Sequence, residues 1–327
     1  MTKRRRFIQQ VSNGAAGLAM IPIISSCGAN TQKKESAPEV EASPTPLFFQ
    51  ISLAQWSLNR KLFGGELDNL DFPGFTKSQF DITAVEYVNQ FFADKAEDQA
   101  YLGELKKRTD DQGITNVLIM IDREGYLGDL DESKRIQAVE NHYKWVDAAK
   151  FLGCHSIRVN AHGEGSAEDV KSAAIDGLGR LSEYGTQNGI GVIVENHGGY
   201  SSDGKWLSDV MSQVNNPNCG TLPDFGNFCL RRGEPTEEFK YGQCLEEYDR
   251  YAGVEELMPF AKGVSAKSHE FDDQGMETGT DFRRMLKIVK EAGYKGHIGI
   301  EYEGPGDDVA GIKATKALLE MVGGEIS

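Results

Sequence analysis

The stretch of sequence that decides the fold runs from Ile190 to Tyr200 and reads IGVIVENHGGY. Its apolar, β-branched run lies between glycines, a pattern typical of a buried parallel strand. The run ends in Glu195, Asn196 and His197, three polar residues that a hydrophobic core does not favour. We therefore expect the functional chemistry to lie at the end of this strand.

The same pattern, a strand-like run followed by polar side chains, occurs at five other places in the chain. Several parallel strands with charged groups at their carboxyl ends predict a single (β/α)8 TIM barrel, in which the loops after the strands build one shared site. Glu195, Asp224 and Glu301 are then expected to face one another. The other polar groups at or near predicted strand ends are Glu86, Asn160, His162, Asn227, His269 and Glu303.

A glycine follows each of four predicted helices and precedes the next strand, which supplies the left-handed cap that turns the chain back to the sheet. The helices span residues 96–112, 132–152, 167–188 and 282–292. The segment 72–80 is too short to predict a helix. Strand-like runs near residues 50, 85, 118, 157, 193, 221, 265 and 299 complete the eight strands of one barrel, with no second folded domain.

The N-terminal part has the features of an export signal. A basic start that includes Lys3 and Arg4 precedes a weakly apolar run from residue 11 to 24, and small residues follow as far as Cys27. We expect residues 1–26 to be this signal and residues 27–46, rich in Ser, Thr, Pro, Glu and Lys, to be a flexible tether. Residues 47–327 then form the barrel.

Two short motifs refine the export prediction. The sequence RRRFI at residues 4–8 resembles the twin-arginine export motif, and ISSC at residues 24–27 resembles a bacterial lipobox. The second resemblance implies a lipid on Cys27. The chain is therefore expected to be exported, as a periplasmic protein or a membrane-anchored lipoprotein of the bacterial cell envelope.

The charge of the chain excludes some partners. The formal net charge is −15, with 35 Lys and Arg residues against 50 Asp and Glu residues. Such a surface repels nucleic acid phosphates and anionic lipid head groups. We expect no nucleic acid partner and membrane contact only through a covalent lipid. The sequence is compatible with a homo-oligomer and does not determine the oligomeric state.

The cysteines show no pair with the close spacing of a zinc ribbon or a redox motif. Cys154 is expected to be a small buried apolar residue. Cys219 and Cys229 are candidates for a disulfide, which the sequence leaves open.

Three carboxylates in one barrel mouth repel one another unless protons or a cation neutralise them. Oxygen ligands with at most one imidazole suit a single divalent ion, either Mn, Mg, Co or Zn. The alternative is that each acid pairs separately with a cationic side chain such as Lys267 or Arg158.

Four segments resemble the xylose isomerase-like TIM-barrel family of sugar phosphate isomerases and epimerases, which includes the D-tagatose 3-epimerase group. They are VENH at 194–197, LPDFGN at 222–227, VSAK at 264–267 and GIEYE at 299–303, and the resemblance spans about residues 48–322. It implies metal ligation by a Glu after strand five, an Asp after strand six, a His on strand seven and a Glu after strand eight. Glu195, Asp224 and Glu301 match these positions.

The fourth ligand departs from the family pattern, because Ser265 stands where family members commonly have the strand-seven His. His269 lies two residues after Lys267, so alternation along a strand would put both on one face. His269 is therefore the candidate for the remaining metal ligand, with a substrate-binding role or an ordinary surface imidazole as the alternatives.

Other residues near the strand ends are candidates for substrate binding. The long connection after Asp224 is expected to fold over the strand ends, with Asn227 and Arg250 as its contacts. The full set of candidate substrate-binding residues is His162, His197, Lys267, Arg158, Asn227, Glu86 and Trp56.

The resemblance implies a metal-dependent sugar isomerase or epimerase that abstracts a proton next to a carbonyl to give an enediolate, with Glu195 and Glu301 as the catalytic pair. An exported enzyme would meet a free or oxidised sugar as its small-molecule substrate. Two alternatives stay open: a 3-keto-glycoside lyase or hydrolase that uses the same site, and a non-catalytic carbohydrate-binding lipoprotein.

Overall fold

The computed structural model describes residues 46–237 and 242–327. Within these residues, eight parallel strands form the sheet of a single (β/α)8 barrel, which confirms the predicted fold. In chain order the strands are β1 (Gln50–Ala54), β2 (Ala84–Val88), β3 (Thr115–Met120), β4 (Ser156–Val159), β5 (Gly191–Glu195), β6 (Cys219–Leu222), β7 (Cys229–Arg232), β8 (Cys244–Glu247), β9 (Val264–Ser268) and β10 (His297–Tyr302), of which β7 and β8 lie outside the barrel.

The strands follow one another around the barrel in the order β6, β5, β4, β3, β2, β1, β10, β9. Strands β1 and β10 pair in register from Gln50 with His297 to Leu53 with Ile300. The barrel closes between β6 and β9 through two parallel bridges, Thr221 with Ala261 and Asp224 with Ser265. This arrangement brings the carboxyl ends of all eight strands to one mouth.

Helices cover the outside of the barrel. They are α1 (Asn59–Phe63), α2 (Phe72–Phe80), α3 (Gln99–Gln112), α4 (Glu132–Leu152), α5 (Ala167–Asn188), α6 (Gly204–Val214), α7 (Arg250–Leu257), α8 (Phe282–Glu291) and α9 (Asp308–Ile326). The ends of α4 and α5 agree with the sequence prediction because both are capped. For α4, Asp131 accepts hydrogen bonds at the N-terminus and Gly153, with φ 82°, closes the C-terminus.

The segment 72–80, for which the sequence predicted no helix because of its length, is a helix. Pro73 stands in its first turn, where the missing N–H is not needed, and Asp81 ends it in the left-handed conformation with φ 53°. Phe72 and Phe80 are buried, so packing against the barrel stabilises a helix of only nine residues.

Alternation along the strands separates two apolar layers. Val192 and Val194 of β5 point outward and belong to the same core as Val170 and Leu178 of α5. The alternate positions of the strands point inward, and their apolar side chains fill the barrel interior. Among them are Ala54, Val88, Leu118, Met120, Ile193 and Leu222. Glu195 follows Ile193 at the same parity, so it also points into the barrel, at the mouth.

The connection after β6 contains an antiparallel hairpin of β7 and β8. A disulfide joins Cys229 to Cys244 across this hairpin, whereas Cys219 is free and buried. The pairing of Cys219 with Cys229 that the sequence left open therefore does not form, because β7 and β8 pair directly and bring Cys244 to Cys229. Cys154 is free and buried, as predicted.

No helix in the described part of the chain has both the length and the apolar character needed to cross a membrane. Three sequence predictions, the export signal, the tether as far as residue 45 and a lipid on Cys27, concern residues outside those that the structure describes.

Candidate metal and active site

Three carboxylates converge at the barrel mouth. Glu195 ends β5, Asp224 lies two residues beyond β6, and Glu301 lies in β10. Each offers one oxygen, and the three oxygens lie within 4.8 Å of one another. All three residues are buried, which makes their mutual repulsion strong unless a cation or protons compensate it.

The position of Asp224 is fixed by its own loop and by the neighbouring strand. Its backbone N–H donates to Asn196 Oδ1 at 2.7 Å, and Asn196 Nδ2 donates to the Asp224 carbonyl at 3.0 Å. One carboxylate oxygen, Oδ1, accepts from the N–H groups of Gly226 and Asn227 at 2.9 and 2.8 Å. The other oxygen, Oδ2, is buried and has no hydrogen-bond partner among the described residues.

Glu195 is held from two sides. Asn227 Nδ2 donates to its Oε1 at 2.8 Å. Arg158 Nε lies 2.8 Å from Oε2, but the geometry does not form a hydrogen bond, so the contact is an ion pair by proximity alone. Arg158 Nη1 also donates to Asp122 Oδ1 at 2.9 Å, so the guanidinium group lies between two acids, Asp122 and Glu195.

Glu301 is held by Lys267 and Ser265. Lys267 Nζ lies 3.2 Å from Glu301 Oε1, 3.3 Å from Glu303 Oε1 and 3.3 Å from Asn227 Oδ1. Ser265 Oγ donates to Glu301 Oε2 at 3.2 Å. Lys267 therefore neutralises part of the negative charge, and the surrounding acids raise its pKa well above the ordinary value against the opposing effect of burial.

Acids outnumber bases in this cluster. Six carboxylates meet only two cationic side chains, Arg158 and Lys267, in the described part of the site. Burial, with the repulsion of Glu195, raises the pKa of Glu301 to about 8 against the attraction of Lys267, and burial also raises the pKa of Asp224. The six acids are Glu86, Asp122, Glu195, Asp224, Glu301 and Glu303.

This donor set fits a divalent cation. A hard or borderline divalent ion takes oxygen ligands. Bound here, it would offset the repulsion among the three carboxylates and the excess negative charge, and it would give Asp224 Oδ2 a partner. Glu195, Asp224 and Glu301 are the residues that would hold it.

Glu86 lies deeper in the barrel than the three carboxylates. Ser52 Oγ donates to Glu86 Oε1 at 2.5 Å, and Oε2 has no hydrogen bond among the described residues. Burial raises the pKa of Glu86 to about 7. Gly299 makes room for this side chain, because a Cβ atom there would lie 2.6 Å from Glu86 Oε2.

A small cavity opens beside Asp122, above the ends of β3, β4 and β5. Its volume is about 130 Å³, and His162, His197, Asp122, Asn160 and Tyr126 line it. The His162 and Tyr126 rings meet edge to face with centroids 4.4 Å apart. The two histidines predicted to bind substrate thus share one chamber next to the acidic cluster.

Trp56 packs at the mouth near the ends of β1 and β2. Its ring centroid lies 6.0 Å from that of Phe63 and 6.1 Å from that of Phe91. Trp56 and Phe91 are half-buried against the interior apolar layer, and Phe63 is exposed. These three rings form an apolar surface at the mouth.

The structure does not bring His269 or Arg250 to the three carboxylates. The alternation of β9 ends at Ser268, so His269 is exposed and lines an outer cavity with Tyr302 and Ala310 instead of sharing the inner face of Lys267. Arg250 starts α7 and binds Glu247, Thr280 and the carbonyl of Gly279, which ties the helix to the loop after β9.

Three residues of the cluster, Asp122, Asn160 and Asn196, are absent from the predicted site residues, although Asn160 and Asn196 are among the polar groups at predicted strand ends. Asp122 accepts from both Arg158 and Asn160 Nδ2, each at 2.9 Å. Burial raises the pKa of Asp122, but Arg158 and the hydrogen bonds outweigh burial and lower it to about 2. Their position in the sequence could have identified them, because each of the three lies one or two residues after the end of a strand.

Residues 78–322 match the model of the xylose isomerase-like TIM barrel family. This chain belongs to that family. A search among curated protein sequences finds no significant match.

Solved structures with the same family fold resemble the chain over most of its length. A D-tagatose 3-epimerase-like protein is 17% identical with a TM-score of 0.63, and the match covers 85% of this chain and 100% of that one. A 3-keto-D-glucoside 4-epimerase from E. coli is 13% identical with a TM-score of 0.60, over 84% and 100% of the two chains. A xylose isomerase-like TIM barrel protein from Mycobacterium smegmatis, in complex with magnesium, is 15% identical with a TM-score of 0.58, over 85% and 97%. At these identities the likeness establishes the fold of this family member.

Proposed function

We propose that the chain is a metal-dependent sugar isomerase or epimerase that moves a proton next to a carbonyl group. The observation that carries this proposal is the buried convergence of Glu195, Asp224 and Glu301, together with Asp224 Oδ2, a buried oxygen that has no hydrogen-bond partner in the described part of the chain. Structural relatives described as sugar epimerases and as a magnesium complex support it.

One divalent ion, either Mn, Mg, Co or Zn, would be held by Glu195, Asp224 and Glu301. When bound, it would act as a Lewis acid toward the carbonyl and neighbouring hydroxyl oxygens of the sugar. His269 would need to move from its exposed position to join these ligands, so three carboxylates are the ligand set that the geometry favours.

Glu195 and Glu301 form the proton-transfer pair of this proposal. One carboxylate takes the proton from the carbon next to the carbonyl, which leaves an enediolate, and the other returns a proton from the opposite face to give the epimer. Return of the proton to the former carbonyl carbon gives the isomer instead. The two glutamates come from β5 and β10, which are not neighbours in the barrel, as access to two faces of a sugar requires.

The surrounding residues orient this pair and bind the sugar. Asn227 and Arg158 hold Glu195, and Lys267 holds Glu301 while compensating its charge. His162 and His197 line the small cavity where sugar hydroxyls would bind. The remaining candidates for substrate contact or support of the site are Glu86 and Trp56.

We further propose that the protein is exported and carries a lipid on Cys27, so that its substrate is a free or oxidised sugar. The disulfide between Cys229 and Cys244 supports this, because structural disulfides persist in oxidising compartments outside the cytoplasm. A Cys27→Ser variant of the full chain should lose lipid labelling and move from the membrane fraction to the soluble fraction. An unchanged distribution would contradict the lipid anchor.

Metal content tests the proposed site directly. We expect about one divalent ion per chain in the purified full-length protein and its loss in a Glu195→Ala/Asp224→Ala variant. A Glu140→Ala/Glu183→Ala variant removes two acids from exposed helix positions and serves as the control with the same charge change. The absence of an ion from the wild type, even after incubation with manganese or zinc, would contradict the proposal.

Deuterium exchange tests the chemistry. Keto-sugars incubated with the protein in D2O should gain deuterium at the carbon next to the carbonyl, and Glu195→Gln or Glu301→Gln should abolish this gain while circular dichroism shows an intact fold. If the protein binds metal but exchanges no proton on ketopentoses, ketohexoses or 3-keto-glycosides, the proposed proton transfer is wrong.

A further inference from the structure

A second, larger cavity lies beside the mouth, between the β7–β8 hairpin and the loops that follow β4 and β5. Its volume is about 490 Å³, within the range of about 300–1,000 Å³ that is common for small-molecule sites. Tyr200, Trp206, Arg231 and Glu246 are among the residues that line it. We call this cavity the outer groove.

The outer groove continues from the small cavity of the candidate site. His162 and Gly198 line both spaces, so one molecule can occupy the small cavity and extend past these two residues into the groove. The inner space is only about 130 Å³, which leaves little room there for more than one sugar ring. The groove is therefore the place where a second ring of the same substrate would lie.

Tyr200 provides a fixed aromatic surface in the groove. Its ring stacks on Trp206 with centroids 5.9 Å apart and an interplanar angle of 28°. Tyr200 Oη donates to the Gly165 carbonyl at 2.8 Å, and Trp206 Nε1 donates to the Ala167 carbonyl at 2.9 Å. Trp206 is only 7% exposed and Tyr200 is 37% exposed, so Trp206 supports the Tyr200 ring from behind.

The rim of the groove is polar, and two acids, Asp203 and Glu246, line it together with Arg231. Arg231 Nε lies 3.5 Å from Glu246 Oε2 across the hairpin, and both side chains are more than half exposed. A paired cation and anion offer donors and acceptors to hydroxyl groups without attracting a phosphate or a carboxylate. A pyranose ring matches this combination, because its C–H groups form an apolar face and its hydroxyl groups lie around the edge.

We propose that the outer groove binds the second sugar ring of a neutral glycoside, stacked on Tyr200, while the first ring reaches the carboxylates. The substrate class is then a disaccharide or a longer glycoside, a conclusion that rests on the function proposed above. The hairpin and the Gly198–Tyr200 turn thus form a subsite that selects for chain length.

Binding to a variant that cannot turn over tests the groove apart from the chemistry. Isothermal titration of the full-length Glu301→Gln protein would compare cellobiose, maltose and lactose with D-glucose. We expect at least one disaccharide to bind about tenfold more tightly than glucose. Adding Tyr200→Ala should remove this preference, and adding Tyr200→Phe, which keeps the ring, should retain it.

The matched control is Phe151→Ala, which removes an aromatic ring of similar exposure, 38%, from the end of α4. It should leave the preference unchanged. Equal affinities for glucose and all three disaccharides, or a preference that survives Tyr200→Ala, would overturn the inference. Circular dichroism of each variant separates loss of the groove from loss of the fold.

The two proposals can fail separately. Proton exchange on free ketoses that depends on Glu195, without any preference for disaccharides, would overturn the groove and leave the epimerase proposal standing. A disaccharide preference that depends on Tyr200, without proton exchange on any sugar, would leave the groove as a binding site and overturn the proposed chemistry.

Discussion

The side-chain amide of Asn227 donates a hydrogen bond of 2.8 Å to Oε1 of Glu195. The oxygen of the same amide accepts from Lys267 Nζ at 3.3 Å, so one neutral side chain connects Glu195 to Lys267, the ion-pair partner of Glu301. The backbone N–H of Asn227 also donates to Asp224 Oδ1. Asn227, in the loop after β6, is therefore linked to all three carboxylates.

Replacement of Asn227 by alanine should slow catalysis more than it weakens substrate binding. Loss of a hydrogen bond to a charged group costs about 1.5–3 kcal/mol, which corresponds to roughly a tenfold to hundredfold lower kcat. Steady-state kinetics would measure this, with Asn188→Ala on the outer helix α5 as the control. An Asn227→Ala enzyme with wild-type kcat would show that the bond does not position Glu195.

Replacement of Ser265 by histidine should strengthen metal binding. Ser265 lies beside Glu301 at the position where the family commonly has a histidine, so an imidazole there would add a nitrogen ligand to the three carboxylates. We expect zinc affinity to rise at least tenfold by competition with a chromogenic chelator. The control is Ser265→Ala, which offers no ligand. Equal zinc affinities for Ser265→His and Ser265→Ala would contradict the assigned position of the ion.

His142 should make the protein less stable as the pH falls below about 6.5. It is buried in α4 with Nδ1 2.7 Å from the Ala138 carbonyl, and burial lowers its pKa in the folded state. The unfolded chain binds a proton near its ordinary pKa of about 6.5, so this contribution to stability is complete above that pH and declines below it.

Urea unfolding between pH 7.5 and 5 would measure this effect. The free energy of unfolding of the wild type should fall more steeply than that of His142→Gln, with a difference in slope of at most about 1.4 kcal/mol per pH unit. Both proteins contain the same acids, so the difference between their two slopes leaves only the contribution of His142 to the pH dependence of stability. Parallel curves would show that His142 titrates equally in both states.

Removal of the disulfide should destabilise the hairpin. Cys229 and Cys244 are separated by 15 positions, and closing a loop of that length stabilises a fold by about 3 kcal/mol. Cys229→Ser/Cys244→Ser should therefore show faster proteolysis between β7 and β8 and a lower free energy of unfolding. Reductant should reproduce the effect in the wild type and change nothing in the variant, because Cys154 and Cys219 are free thiols.

The barrel and the three converging carboxylates could be predicted from the sequence because both depend on local pattern. Alternation along β5 and β10 puts Glu195 and Glu301 on the inner face, and Gly153 and Gly189 mark the helix ends. These signals act within a few residues, so they survive without knowledge of distant contacts.

The remaining parts of the site depend on where the chain leaves its regular elements. His269 falls just past the end of β9, where alternation no longer applies, and its backbone N–H instead binds Glu277. The hairpin of β7 and β8 lies in a connection whose apolar residues follow neither the helix period nor the strand period. Its disulfide depends on the pairing of these two strands, which the spacing of the cysteines does not reveal. The ion pairs of Arg158 depend on side-chain reach across β3, β4 and β5.

The closure of the barrel between β6 and β9 has a consequence for its local opening. Backbone hydrogen bonds around the two bridges join these strands, among them Phe225 N–H to the Ser265 carbonyl and Ser265 N–H to the Pro223 carbonyl. The β1–β10 pair is in register over four consecutive residue pairs. Amides at this junction should therefore exchange with deuterated solvent sooner than those of β1. The wall that carries Asp224 is thus expected to open before the β1–β10 pair separates.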